Sequence, residues 1–239
     1  MSIAEKLTTV AENVPKVYEA GQTAERELLW DSMLRGTVKT NLFSYWNTEA
    51  FYPTRDIVLT GSSFSTFSMF GTYNGVSQNP INLKQRLEEC GVTFDVSGVT
   101  NANYMFSWAT FTHLPVIDLS SATSMRGTFQ GGNILVYIEK LILSPNGTSV
   151  TDAFNTVTAL KEIRIEGLII KDFDIKKAPL TAESAKSIIN HLKNYAGTDE
   201  ELTYKLSFLD TVWTTLNESE PPPSEDTWEE YVNSLGWLI

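Results

Sequence analysis

Cysteine is almost missing from this 239-residue chain: Cys90 stands alone. That excludes an intrachain disulfide and any zinc site built on two or four cysteines. Cys90 reads as a small core residue closing the Leu83–Cys90 segment. Histidine is nearly as scarce, with only His113 and His191, too few for the usual metal clusters. His191 reads as a helix-surface or helix-end residue and His113 as part of a repeat's return leg. Base is also short: 18 Lys and Arg face 29 Asp and Glu, for a net charge of −11. With no Lys/Arg stripe, such a surface repels phosphate backbones and anionic lipid, so neither nucleic acid nor membrane is an expected partner. No apolar run approaches the roughly 18 residues that span a bilayer. The first residues lack a basic n-region and an apolar h-region, so a secretion signal is not expected. The N-glycosylation patterns at Asn146 and Asn217 carry little weight without one.

Catalytic signatures are missing too. There is no G-x-S-x-G elbow, no phosphate-binding G-x-x-x-x-G-K-[ST] loop and no H-E-x-x-H. Acids cluster at Glu88-Glu89, Asp172/Asp174, Asp199-Glu200-Glu201 and Glu229-Glu230. Adjacent acids on a helix point apart, whereas a glycosidase needs two facing across a cleft. Calcium-loop spacing is absent. The expectation is a protein with no enzymatic activity, no cofactor and no metal.

Apolar residues, by contrast, make up 42% of the chain, with 12 Phe, 9 Tyr and 6 Trp, enough for a sizeable core. Residues 1–34 form the first segment. Ile3, Leu7, Val10, Val14, Val17, Gly21, Ala24 and Leu28 alternate at spacings of four and three, an a/d heptad pattern. Pro15 kinks or divides that helix, and Gly21 weakens it by about 1 kcal/mol relative to Ala. Two readings stay open: an amphipathic helix packed on its own domain, or a coiled coil that oligomerises through Ile3, Leu7, Val10, Val14, Val17 and Leu28. Residues 35–56 are a connector rich in aromatics, including Phe43, Trp46 and Tyr52, and read as a plug for the end of a repeat array.

Residues 57–179 repeat. Phe94-Asp95-Val96-Ser97 and Ile117-Asp118-Leu119-Ser120 fall in register at 23 residues, and Met105-Phe106 and Thr128-Phe129 follow at one offset. A third copy, Leu141-Ile142-Leu143-Ser144 with Ala153-Phe154, carries an insertion near Pro145-Asn146-Gly147. A fourth strand is Ile163–Glu166, and an earlier one Ile57–Thr60 with Met69-Phe70 downstream. Each unit reads as a short strand, a Ser-rich turn and a return leg carrying one buried Phe. Strand alternation turns Phe94 and Val96 inward and Asp95 outward. No such unit buries its apolar face alone, so the units stack and parallel strands line one face.

Residues 180–239 read as a closing cap. Helices are expected at Leu180–Tyr195, Leu209–Leu216 and Trp228–Leu235, with a strand over Leu202–Phe208 and a stiff break at Pro221-Pro222-Pro223. The fold class is thus an α/β repeat: a short leucine-rich-repeat-like solenoid with an N-terminal helix and a C-terminal α/β cap.

The run from Phe94 to Phe106, with its Asp-x-Ser strand, Thr-Asn turn and Met-Phe pair, resembles the BspA-like leucine-rich repeats of bacterial surface proteins. Ile117–Phe129 is similar to the same unit. The resemblance covers residues 55–170. It departs from the family where Thr128 and Ala153 replace Met, and where Ile142 and Arg164 replace Asp. The first thirteen residues also resemble the start of repeat proteins from prophage tail regions of gut Firmicutes. That resemblance implies a virion- or tail-associated protein that stays cytoplasmic until lysis, and gives the heptads a use in assembly. It implies adhesion or recognition, and no catalysis.

The candidate binding surface is the outward strand ladder, with Asp95, Ser97, Asp118, Ser120, Lys140, Ile142 and Arg164 as its key members. The expected partner is a glycan or protein on a bacterial surface. The plainer alternative is that these are solvent-facing strand residues and nothing more.

Overall fold

The computed structural model describes residues 56–61, 80–220 and 222–239, all within the unit Lys39–Ile239. The expected heptad helix with Ile3, Leu7, Val10, Val14, Val17 and Leu28, the connector up to Arg55, and Met69-Phe70 lie outside the described residues.

The described chain is a mixed α/β fold. In order it runs β1 (Ile57–Gly61), β2 (Ile81–Asn82), α1 (Leu83–Cys90), β3 (Phe94–Val99), β4 (Phe111–Asp118), β5 (Tyr137–Ile142) and β6 (Glu162–Glu166). Then come β7 (Phe173–Asp174), α2 (Ala182–Ile189), β8 (Leu206–Ser207), α3 (Asp210–Asn217) and α4 (Trp228–Ser234). All the ladders are parallel. A four-stranded sheet is ordered β2-β4-β5-β6, and two-stranded ladders join β1 to β3 and β7 to β8.

The strands do not fall where the motif alone puts them. In the second unit β4 ends at Asp118, so Ile-Asp-Leu-Ser marks the exit of the strand rather than its middle. The Ser120 amide donates to Asp118 Oδ1 at 2.9 Å, and the Ser97 amide donates to Asp95 Oδ1 at 2.9 Å. A short carboxylate that accepts from the amide two residues on turns the chain. In β3 this turn coincides with a bulge: Val58 pairs with Asp95 but Thr60 pairs with Gly98. Val96 is buried and Phe94 half-buried, with the Phe94 ring 6.2 Å from that of buried Phe106. Nor does β3 join the ladder of β4; it pairs with β1 instead.

A regular period reappears on the return legs, where bonded residues stand 22 apart, one short of the 23-residue sequence offset. Amides of Ala102, Tyr104, Phe106 and Trp108 donate to carbonyls of Ser124, Arg126, Thr128 and Gln130 on the next leg. Between them, Met105, Ser107 and Ala109 donate back to Ala102, Tyr104 and Phe106 of their own leg. So alternate amides close local turns and the rest tie neighbouring legs. Met125, Gly127, Phe129 and Gly131 repeat the outward half of the pattern onto Ser149, Thr151, Ala153 and Asn155. The offset grows by two residues at the Pro145 insertion, and the ladder continues. This geometry demands left-handed backbone at every fourth position: Tyr104 and Trp108, then Gly127 and Gly131, then Asp152 and Thr156.

Inside the legs runs a column of rings. Phe106 stacks on Phe129 at 5.6 Å, Phe129 on Phe154 at 5.2 Å, and Phe154 meets Phe173 at 5.4 Å. All four are buried. Each buried ring stabilises the fold by roughly 1.5–3 kcal/mol from area alone. Ring pairs at such distances add about 0.5–1.5 kcal/mol each. On the opposite wall Leu114, Ile138 and Ile163 lie in register, as do Ile117, Leu141 and Ile165. β6 lacks the extra residue that β4 and β5 carry between those two layers, which is why the register shifts there.

The end of the sheet is covered by α2. Thr181 caps that helix by accepting from the Ser184 amide at 3.3 Å. Two serines then face the last strand: Ser184 Oγ accepts from the Ile163 amide at 3.0 Å and Ser187 Oγ from the Ile165 amide at 2.9 Å. The helix ends at Ile189, short of the expected Tyr195. The remaining residues re-enter the parallel stack, since Leu192 bridges Ile169 and Tyr195 packs with Tyr204 and Trp237. Tyr195 donates its hydroxyl to the Ile170 carbonyl at 2.8 Å; burial pushes its phenol up to about 12. The expected strand over Leu202–Phe208 shrinks to Leu206–Ser207. Helices α3 and α4 match their expected positions, and α4 carries a full capping box between Thr227 and Glu230.

Candidate functional site

Helix α2 crosses the edge of β6, and a cleft of about 490 Å³ opens between them. Tyr137 and Glu139 enter it from β5, Glu162 and Arg164 from β6, and Glu183, Lys186, Asn190 and His191 from α2 and its end. The volume falls within the roughly 300–1,000 Å³ of small-ligand sites. Alternation along β6 explains why Glu162 and Arg164 face out while Ile163 and Ile165 are buried. His113 lies on β4, not on a return leg as its sequence context suggests. Its ring sits 5.6 Å from that of Tyr137, tilted by 37°, and its strand position pairs with Tyr137, which in turn pairs with Glu162.

Charge in the cleft is mixed. Glu183 contacts Lys186 at 3.4 Å, and Glu139 contacts Lys84 at 3.6 Å. Lys84 also holds Glu88, and that hydrogen bond raises its pKa above the usual lysine value. The His191 ring meets the Ser187 carbonyl at 2.7 Å through Nδ1. The arrangement offers carboxylates, a guanidinium, an amide and a phenol to one ligand. These are groups for reading a polar ligand from several sides.

Of the seven strand-face residues singled out by sequence, only Arg164 lines this cleft. Lys140 lies nearby but is engaged with Glu166 at 2.5 Å. Asp118, Ile142 and Glu166 form one lateral row at the end of the sheet. Asp118 faces the Ser120 amide there, as Asp95 faces the Ser97 amide on β3 in a separate ladder. Ser97, through its side chain first and its amide second, holds the Asp95 carboxyl below its usual range. The seven therefore do not converge. Asp118 and Ser120 turn the chain at the end of β4, and Asp95 and Ser97 do so at the bulge within β3. Tyr137, Glu139, Glu183, Asn190 and His191 were not singled out by sequence, because only the folding of α2 onto β6 brings them together.

A second, smaller cleft of about 270 Å³ lies among Asp152, Asn155, Thr156, Asp174 and Lys176. Lys176 pairs with Asp174 at 2.6 Å, and its pKa is raised by that bond. Among the described residues no group of three His, Cys, Asp or Glu could hold a metal ion, and no helix is long and apolar enough to cross a membrane. No family model, no curated protein and no solved structure matches this chain.

Proposed function

We propose that this chain is a non-enzymatic recognition module that binds a glycan or protein of a bacterial surface through the strand face between β5, β6 and α2. The observation that carries the reading is the cleft itself, with Arg164 and Glu162 on a rigid strand, Glu183 on the helix that covers its edge, and Asn190 and His191 at that helix's end. Sites on rigid elements hold their geometry better than sites on loops. The finer architecture belongs to the same proposal: a short solenoid of BspA-like leucine-rich repeats, closed by an α/β cap. The regular backbone ties between return legs and the ring column support it. A place in a phage tail, with release on lysis, extends the proposal to localisation.

The test is capture of purified protein by intact bacterial walls. Arg164→Glu combined with Glu162→Lys keeps the net charge and reverses the local pattern. Capture falls at least about tenfold if the cleft is the contact surface. Undiminished capture by this variant removes the strand face from consideration.

A second reading is an assembly protein that oligomerises through Ile3, Leu7, Val10, Val14, Val17 and Leu28, supported by their heptad spacing. It predicts that deleting residues 1–30 reduces an oligomer to a monomer in light scattering. A monomeric full-length chain at high concentration defeats it.

A further inference from the structure

Most charges around the cleft between β5, β6 and α2 already have partners in the chain. Glu183 contacts Lys186 at 3.4 Å, and the Lys186 ammonium also lies 5.8 Å from the centre of the Trp228 ring. Glu139 meets Lys84 at 3.6 Å. Nearby, Lys140 holds Glu166. Glu162 and Arg164 are different. Both are exposed and both line the cleft. Among the described residues, neither side chain makes a hydrogen bond or an ion pair. They stand two apart on β6, so they rise from one face of the strand with roots about 7 Å apart.

Their surroundings differ along the strand. Helix α2 runs beside β6 in the same direction, since Ser184 reaches Ile163 and Ser187 reaches Ile165. Its start therefore lies by Glu162, and its end, with Asn190 and His191, lies past Arg164. Tyr137 pairs with Glu162 across the ladder and is half-buried. The His191 Nδ1 meets the Ser187 carbonyl at 2.7 Å. A carbonyl only accepts, so Nδ1 carries the proton and the neutral ring keeps its lone pair on Nε2.

A ligand carboxylate finds a planar fork at Arg164. A ligand ammonium finds the Glu162 carboxylate, with the Tyr137 ring beside it. Two charge-assisted contacts of about 2.8 Å fill most of the interval of about 7 Å, so the ligand's own two charges adjoin. A ligand of one sign would leave either Glu162 or Arg164 covered and unmatched, and a neutral sugar would desolvate both without a counter-charge.

We propose that the cleft binds the zwitterionic head group of an α-amino acid, its carboxylate on Arg164 and its ammonium on Glu162 beside Tyr137. Asn190 and His191 Nε2 then meet polar groups carried further along the ligand. The site is that of the strand-face reading, on which this ligand chemistry rests.

The test titrates the full chain by calorimetry with two isomers. Nε-acetyllysine carries ammonium and carboxylate on one carbon; Nα-acetyllysine has the same atoms with the ammonium at the far end of the side chain. Wild type binds the first in the millimolar range and the second at least about tenfold more weakly. Glu162→Gln and Arg164→Gln each weaken the first by about tenfold or more. Both positions are exposed, so both variants keep the fold, which circular dichroism verifies. Absence of wild-type binding into the millimolar range overturns the head-group site. So do isomers bound within about twofold of each other, or variants within about twofold of wild type. Wall capture separates the two readings. If capture falls in the Glu162→Lys, Arg164→Glu variant while neither isomer binds, the strand face stands and the head group is wrong. If Nε-acetyllysine binds as expected while capture is undiminished, the head-group site stands and the bacterial-surface reading fails.

Discussion

Between one return leg and the next, a backbone amide meets a backbone carbonyl, as Phe106 meets Thr128 and Phe129 meets Ala153. At the last strand, the amides of Ile163 and Ile165 meet hydroxyls of Ser184 and Ser187 instead. Both solutions satisfy buried polar groups, as a packed interior requires. They differ in what they ask of the sequence. A backbone tie is indifferent to the side chain beside it, so Met105 gives way to Thr128 and then Ala153 without loss of the ladder. Thr128 even uses its freedom, donating its hydroxyl to the Met125 and Ala102 carbonyls. The helix cap has no such latitude: two specific residues, three apart on α2, replace a whole strand. Degeneracy within the repeats and strictness at their end have one cause.

The ring column is the exception inside the repeats, because there the side chain itself fills the slab. Phe129→Ala removes a ring held between Phe106 and Phe154 and lowers stability by about 3–5 kcal/mol, read from denaturant unfolding. Loss under about 1 kcal/mol would show that the column is not what the legs depend on. Next in size is the cap. Ser184→Ala with Ser187→Ala orphans two strand amides and costs roughly 2–4 kcal/mol in total. Hydrogen exchange at Ile163 and Ile165 should quicken first, and unchanged exchange there would erase the contrast with the backbone ties. Third is a place where the backbone tie does become particular. A Cβ on Gly167 would sit 2.2 Å from the Leu143 carbonyl oxygen, at φ 89°. Gly167→Ala therefore destabilises by about 2–3 kcal/mol, and a neutral result in thermal melting would contradict the close approach. The smallest effect is acid sensitivity at the strand turn. The Asp95 carboxyl is held below its usual range by Ser97. Its contribution is present above the unfolded carboxylate value, near about pH 4, and fades as pH falls through the lower folded value. Asp95→Asn keeps an acceptor for the turn and should flatten that part of the stability profile between about pH 2 and 4. If wild type and variant lose stability in parallel there, the turn is not the source.

Much of this was legible in the sequence. Phe106 and Phe129 announce the stack because the ring column needs them at one offset. The boundaries were harder. Ile-Asp-Leu-Ser alternates like a strand, yet its Asp is a turn acceptor, and alternation does not distinguish the two. Helix α2 stops at Ile189 although Leu192 and Tyr195 continue its apolar spacing, because tertiary packing and not helix buries those two. At the site, Arg164 was visible from strand alternation. Tyr137 is not marked by the repeat, because β5 starts four residues before its motif, and Glu183 and His191 are not marked because no local pattern records which strand a helix will cover.

The corner at Ser144–Gly147 separates length from register. Two residues enter there, Pro145 and Asn146 are exposed, and yet Phe129 and Phe154 stack as closely as Phe106 and Phe129. Return legs cannot change length in this way, since their left-handed positions recur every fourth residue. The molecule thus has a measured place for grafting: an epitope, a label or a linker spliced between Pro145 and Asn146 would lengthen the chain where its architecture already tolerates variable length.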